Sequence, residues 1–202
     1  MSEVTQPDKS DRLGLYITAG AAGIGIVASI VATVGRLLEV APGHNIPVRV
    51  ALDAQAVALP LGPSGAAVDT TVDVATVLVN DPSAATTFAL WAEPIVAGLM
   101  WIGLFVVAAL FCLRLARAQV FTTSTARLLY TGAGILTAGW VLGSFLTSMT
   151  SNGALSAISD GSYEGGAFAV SAAPVIGVWV IAAVGLAVQV GERLKRETEG
   201  LV

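Results

Sequence analysis

Residues 91–113 read WAEPIVAGLMWIGLFVVAALFCL and decide the fold, because this run has one acid near its start and no basic residue. A helix rises about 1.5 Å per residue, so roughly twenty such residues cross a hydrocarbon core of about 30 Å. We therefore predict a transmembrane helix over 91–113, with further ones over 13–36, 128–149 and 168–190. The predicted fold class is an all-α integral membrane protein with four transmembrane helices.

The turn that follows, RLARAQVFTTSTAR at 114–127, carries three arginines and no acid. With four helices, eight basic residues fall on the side of this turn: Lys9, Arg12, Arg114, Arg117, Arg127, Arg193, Lys195 and Arg196. The opposite side has Arg36 and Arg49. The positive-inside rule then places the turn and both termini in the cytoplasm. Residues 1–12 are predicted to be a disordered cytoplasmic tail, and 191–202 a charged one.

The extracytoplasmic side is predicted to hold an insert over 37–90 and a Gly/Ser loop over 150–167. Within the insert, PVRVALD (47–53) alternates Val48, Val50 and Leu52 with polar or small residues. In AAVDTTVDVATVLV (66–79) the same pattern places Val68, Thr70, Val72 and Val74 on one side. Alternation of β-branched residues predicts half-buried strands. Since a two-stranded ribbon is marginal alone, we expect it to pack on the outer ends of the helices or on a partner.

Composition excludes several classes of function. The chain is 55% hydrophobic and 12% charged, with a mean hydropathy of +0.80. Its formal charge of -4 gives no basis for nucleic-acid binding, which needs clustered Lys and Arg. The chain has one cysteine, Cys112, and one histidine, His44. It therefore has few side chains that could form a metal site or act in nucleophilic catalysis. We predict no catalytic residue, no cofactor and no metal.

The third predicted helix has a glycine face and a polar stripe. Gly132, Gly139 and Gly143 fall on one face, and small residues there let two helices approach closely. The neighbour can be intramolecular, which we favour, or another subunit. Ser144, Thr147 and Ser148 near the outer end are read as interhelical hydrogen-bonding groups or, with Glu93, as a polar vestibule. Glu93 before Pro94 predicts the start of the second helix.

Residues 118–129, AQVFTTSTARLL, carry a family resemblance. They resemble the turn of the YoaS-like proteins, bacterial four-helix membrane proteins with a domain of unknown function, which read Gly-x-x-Phe-Thr/Ser-x-x-Asn followed by basic residues and Leu. The matching positions are Ala118, Phe121, Thr122, Thr125, Arg127 and Leu129. The resemblance implies a membrane protein of unknown activity, sometimes encoded beside a small helix-turn-helix regulator. The residues themselves predict that Thr122 caps the third helix and that Phe121 anchors the turn.

These features predict a multi-pass protein of the bacterial cytoplasmic membrane, with the lipid bilayer as its surroundings. The leading hypothesis is a non-enzymatic accessory or regulatory protein that acts through protein contacts. The partner would be another protein or a second copy, bound through the 37–90 insert or the third helix. The alternative is a small transporter or channel, which the polar stripe of the third helix suggests.

Overall fold

The computed structural model describes residues 8–159 and 172–199, with the backbone alone at 53–55 and 198–199. Its elements are α1 (Lys9–Val40), β1 (Ile46–Leu59), a short 3-10 turn (Pro63–Gly65), β2 (Val68–Val79), α2 (Ala84–Ala116), α3 (Thr123–Ser159) and α4 (Ala173–Glu199). All four α-helices are long and apolar enough to cross a membrane. The prediction of four such helices with a small β insert between the first two is confirmed.

The second helix begins earlier than predicted, so the assignment of its start to Glu93 and Pro94 is wrong. Helix α2 starts at Ala84 and contains Pro94 in its interior. Ser83 supplies the cap, because its Oγ accepts from the backbone N–H of Thr86 at 3.3 Å. The last residues of the predicted 37–90 insert are therefore helical.

The other helices also extend beyond their predicted bounds. Helix α1 includes residues 9–12, which were predicted to be disordered, and runs on to Val40. Helix α3 continues to Ser159, so the first part of the predicted 150–167 loop is helical. The rest of that loop and the predicted start of the fourth helix at Phe168 lie outside the described residues. Helix α4 begins at Ala173 with Pro174 in its first turn, where the missing N–H has no intrahelical partner to lose.

Strands β1 and β2 form an antiparallel hairpin. Ile46 pairs with Val79 and Val50 with Ala75, and the register shifts between Ala51 and Gln55. The inward face is the predicted one in β1, since Ile46, Val48 and Val50 are at most 2% exposed. They form a cluster with residues of the adjoining helices: Val40, Leu90, Ala154 and Leu155. This burial explains how so small a sheet is stable.

Strand β2 does not keep one alternation along its length. Val74 was predicted to share a face with Val68, Thr70 and Val72, and this is wrong because Val74 is 57% exposed. Its neighbour Ala75 packs against the buried cluster instead. The break lies beside the register shift, at which β1 advances by two more residues than β2. An irregularity of this kind disrupts the strand ladder locally.

Helix α2 ends in a defined hydrogen-bond pattern. The N–H of Ala118 donates to the carbonyl of Leu115 at 2.9 Å, and that of Gln119 donates to the carbonyl of Arg114 at 2.9 Å. Ala118 has a φ of +57°, in the left-handed region. These three features define a Schellman motif, in which glycine is the usual residue at this position.

The chain divides into two compact units. In the described residues, one unit holds 8–34, 96–142 and 172–199, and the other holds 35–95 and 143–159. The first unit contains parts of all four helices and a core formed by Ala126, Leu129 and Val188. The second contains the hairpin, its buried cluster and the helix ends that pack on it.

Candidate functional site: a charged pocket beside the hairpin

A cavity of about 500 Å³ lies within the unit that contains the hairpin. Its lining comes from both strands and from α1, α2 and α3: Arg36, Glu39, Pro47, Val48, Arg49, Thr76, Glu93, Thr147 and Thr150. We call it the hairpin pocket. Small-molecule sites in proteins commonly have volumes of roughly 300–1,000 Å³, so its size suits a small ligand.

Arg36 connects the end of α1 to the first strand. Its Nη1 donates to Glu39 Oε2 at 2.7 Å, and its Nη2 donates to the carbonyl oxygen of Pro47 at 2.8 Å. Glu39 therefore compensates the charge of Arg36. The two bonds hold the guanidinium at the wall of the hairpin pocket, with further N–H donors left.

Glu93 and Thr147 of the predicted vestibule do come together. Thr147 Oγ1 donates to Glu93 Oε1 at 2.8 Å, and both residues line the hairpin pocket. Ser144 and Ser148 do not line it. Glu93 was predicted to lie at the helix start, but it lies in the interior of α2, where its carboxylate lines the cavity.

Two further lining residues have unused hydrogen-bonding groups. Thr150 is 3% exposed, and its hydroxyl has no hydrogen-bond partner among the described residues. Arg49 lies opposite Thr76 in the strand register and is exposed. Within the described part of the chain no ion pair engages either Arg49 or Glu93. A buried unpaired hydroxyl is uncommon in native proteins.

The predicted sites in the turn between α2 and α3 are structural. Thr122 Oγ1 accepts from the N–H of Thr125 at 3.3 Å, and α3 begins at the next residue, Thr123. Phe121 is 48% exposed, and its ring lies against Gly191 of α4. Arg114 donates to Ser124 Oγ at 3.3 Å. Arg117 closes the end of α2 through its backbone N–H, which donates to the carbonyl of Arg114 at 3.2 Å.

Glu192 is a residue that sequence reasoning missed, since it lies in what was predicted to be a charged tail. Its Oε1 accepts from Thr123 Oγ1 at 2.7 Å and from Arg196 Nη2 at 2.6 Å. The hydrogen bond from Thr123, assisted by the bond and positive charge of Arg196, lowers the pKa of Glu192. A cavity of about 580 Å³ adjoins it and is also lined by Arg127, the remaining predicted arginine of the turn.

The glycines of the predicted packing face differ from one another. A Cβ at Gly132 would contact Val107, and one at Gly139 would be 2.7 Å from Met100 Cβ. Both neighbours belong to α2, so these two glycines allow a close approach within the chain. At Gly143 no described atom lies within 4 Å of the added Cβ. Of the GxxxG pair at 139 and 143, Gly139 therefore lies at the contact between α2 and α3, and Gly143 does not.

In the described residues, no three His, Cys, Asp or Glu side chains come close enough to hold a metal ion. Comparison of the chain with family models, with curated proteins and with solved structures found no match. The resemblance of the 118–129 turn to the YoaS-like proteins therefore stays a prediction.

Proposed function

We propose that this is a non-enzymatic accessory or regulatory protein of a bacterial cytoplasmic membrane that binds a partner protein through its hairpin. In the proposed topology both termini are cytoplasmic, and the hairpin faces the opposite side, where a protein of the envelope can reach it. The positive-inside distribution of Lys and Arg supports this orientation.

The observation that carries the proposal is the outer face of the hairpin, opposite the buried cluster. Val74 is 57% and Leu78 58% exposed there, and Leu61 in the connecting turn is 66% exposed. Exposed apolar side chains on a water-facing surface are candidates for an interaction site. A two-stranded sheet also has an outer edge on each strand, to which a further strand can pair.

Charge defines the chemistry of the partner. From residue 46 to residue 79 the hairpin has three acids, Asp53, Asp69 and Asp73, and one basic residue, Arg49, so its net charge is negative. A complementary partner therefore presents an apolar surface bordered by Lys and Arg. Opposite charges at the border of an interface favour the correct partner and speed its association.

A photo-crosslinking amino acid placed separately at Val74 and Leu78 tests the proposal in native membranes. We expect the same partner protein from both positions, and we expect the charge reversals Asp69→Lys and Asp73→Lys to reduce its yield. Glu197→Lys, which changes charge in α4 without touching the hairpin, is the control and leaves the yield unchanged. Crosslinks to a second copy of the chain alone, or to no protein, would contradict the proposal.

The second candidate is a small transporter, and the hairpin pocket is the observation that favours it. A buried or half-buried carboxylate in a polar cavity is a common feature of substrate pathways. The prediction is substrate flux from proteoliposomes that Glu93→Gln abolishes. We rank it second because the lining of the pocket reaches no residue of α2 beyond Glu93.

A further inference from the structure

We propose that the hairpin pocket binds a zwitterion that carries a phosphate group and an ammonium group, the chemistry of phosphoethanolamine. The ligand can be the head group of a phospholipid or a soluble phosphoethanolamine compound. This inference rests on different residues from the proposed partner surface: Val74 and Leu78 do not line the pocket, although Thr76 between them does.

The anionic half of the ligand is met by two guanidinium groups. Arg49 has no described partner, and Arg36 uses two N–H groups of the five that a guanidinium has. Guanidinium groups match the geometry of phosphate oxygens and bind them through paired hydrogen bonds.

The cationic half is met by Glu93. Its Oε1 accepts from Thr147, and no described basic side chain pairs with the carboxylate. Glu39, the other acid of the lining, is paired with Arg36 at 2.7 Å. The carboxylate of Glu93 is therefore the group available to an ammonium ion.

The balance of charge favours a zwitterion over a simple ion. Two arginines and two glutamates line the pocket, so its formal charge is zero. After the pair of Arg36 and Glu39 is set aside, one cation and one anion remain uncompensated. A bare phosphate would leave Glu93 unpaired, and a bare amine would leave Arg49 unpaired. A partly buried charge is stabilised when its counter-charge is present.

The position of the pocket along the chain agrees with a ligand at the membrane surface. Arg36 is the first charged residue after the apolar run that begins at Leu13, and Glu93 comes just before the apolar run of α2. Such residues lie at head-group depth when the runs span a bilayer. Phospholipid head groups are abundant there.

Binding of glycerophosphoethanolamine to the full-length protein in detergent, measured by calorimetry, tests the inference. We expect Arg49→Gln and Glu93→Gln each to weaken binding about tenfold or more, since each removes a charged hydrogen-bonding group. Arg193→Gln is the control, because Arg193 lies outside the pocket and pairs with Glu197.

Nanodiscs distinguish the two sources. Saturable binding of phosphatidylethanolamine by native mass spectrometry, with little binding of the soluble compound, identifies a lipid head group; binding of both identifies a soluble zwitterion as well. Either result supports the inference when Glu93→Gln reduces it. Equal binding of phosphatidylglycerol or inorganic phosphate, unaffected by Glu93→Gln, would overturn it in favour of a simple anion site. No binding of any of these probes by protein with a folded hairpin would also overturn it.

Discussion

Replacing Val50 by Ala tests the assignment of the two hairpin faces, on which the proposed partner surface depends. Val50 is 0% exposed within the buried cluster. The matched variant is Val74→Ala, which makes the same chemical change on the opposite face. Val74 is 57% exposed and pairs with Ala51, the residue next to Val50.

The two changes differ in the apolar burial that they remove. A buried methylene contributes about 0.8 kcal/mol, and Val→Ala removes the equivalent of two, or about 1.6 kcal/mol. The cavity left at Val50 adds to this and brings the expected loss to about 2 kcal/mol. At Val74 less than half of the side chain is buried, so the expected loss is about 0.7 kcal/mol.

Hydrogen exchange of peptides from β1 and β2 measures these losses locally. Exchange by opening of the hairpin should become about 30-fold faster in Val50→Ala and about 3-fold faster in Val74→Ala, since about 1.4 kcal/mol corresponds to a factor of ten. Circular dichroism should remain helical in both variants. Equal effects, or a larger effect at Val74, would refute the face assignment and remove the basis for the partner surface.

Four further outcomes follow from the helix contacts and the turn. Gly139→Ala should lower the stability in detergent by about 1 kcal/mol or more, because its Cβ would overlap a methionine of α2. Gly143→Ala should raise the thermal midpoint slightly, because its Cβ meets no described atom and alanine favours a helix more than glycine does. Equal midpoints would contradict the contact. Phe121→Ala should lower the free energy of unfolding by roughly 1 kcal/mol, because the ring is only half buried. Unchanged thermal stability with a lost cellular phenotype would show instead that the turn has a direct functional role. Ala118→Gly should stabilise the protein by about 1 kcal/mol in a denaturation titration, because its φ of +57° is strained for alanine, and a lower midpoint would contradict this. Acidification should weaken the contact of α4 with the start of α3, because the pKa of Glu192 is lowered in the folded protein. The stabilisation by the ionised Glu192 is fully present above the pKa of an unfolded glutamate, and it is lost as the pH falls through the pKa of Glu192 in the folded protein. Glu192→Gln should flatten this pH dependence in exchange measurements at Thr123.

Short sequence patterns correctly predicted the helix cap, the buried strand face and the membrane-length helices, because each depends on residues close together in the chain. The cap at Thr122 involves residues three positions apart, and a polar residue before an apolar run is its signature. The alternation from Val48 to Leu52 predicted the buried face of β1 because period-two exposure follows directly from strand geometry. The apolar runs predicted four helices because their length must match the hydrocarbon core.

Features that depend on tertiary pairing were not predictable. The register shift after Ala51 has no glycine or proline to indicate it, so neither the shift nor the exposure of Val74 beside it was predicted. The start of α2 was misplaced because Pro94 was read as a helix start, although Ser83 is an equally good cap in sequence. What favours the earlier start is burial of Leu90 against the hairpin cluster, which no local pattern reveals.

The candidate site shows the same division. Glu93 and Thr147 were singled out from their positions near the outer ends of two predicted helices, but Arg36, Arg49 and Thr150 join them only once the hairpin has folded. The two arginines were visible as the basic residues of the predicted outer side. Their role in one cavity depends on bonds such as that from Arg36 to Pro47, which joins residues 11 positions apart across an irregular turn.

The structure gives a physical reason for the sequence pattern of the 118–129 turn. The YoaS-like proteins that it resembles have Gly at the position of Ala118, and here that position has a left-handed backbone that closes α2. Phe121 then packs on Gly191, and Thr122 caps α3. These three positions therefore help the chain to reverse direction between α2 and α3. A pattern explained in this way does not require a ligand or partner at the turn, so the outer face of the hairpin and the hairpin pocket are the better candidates for recognition.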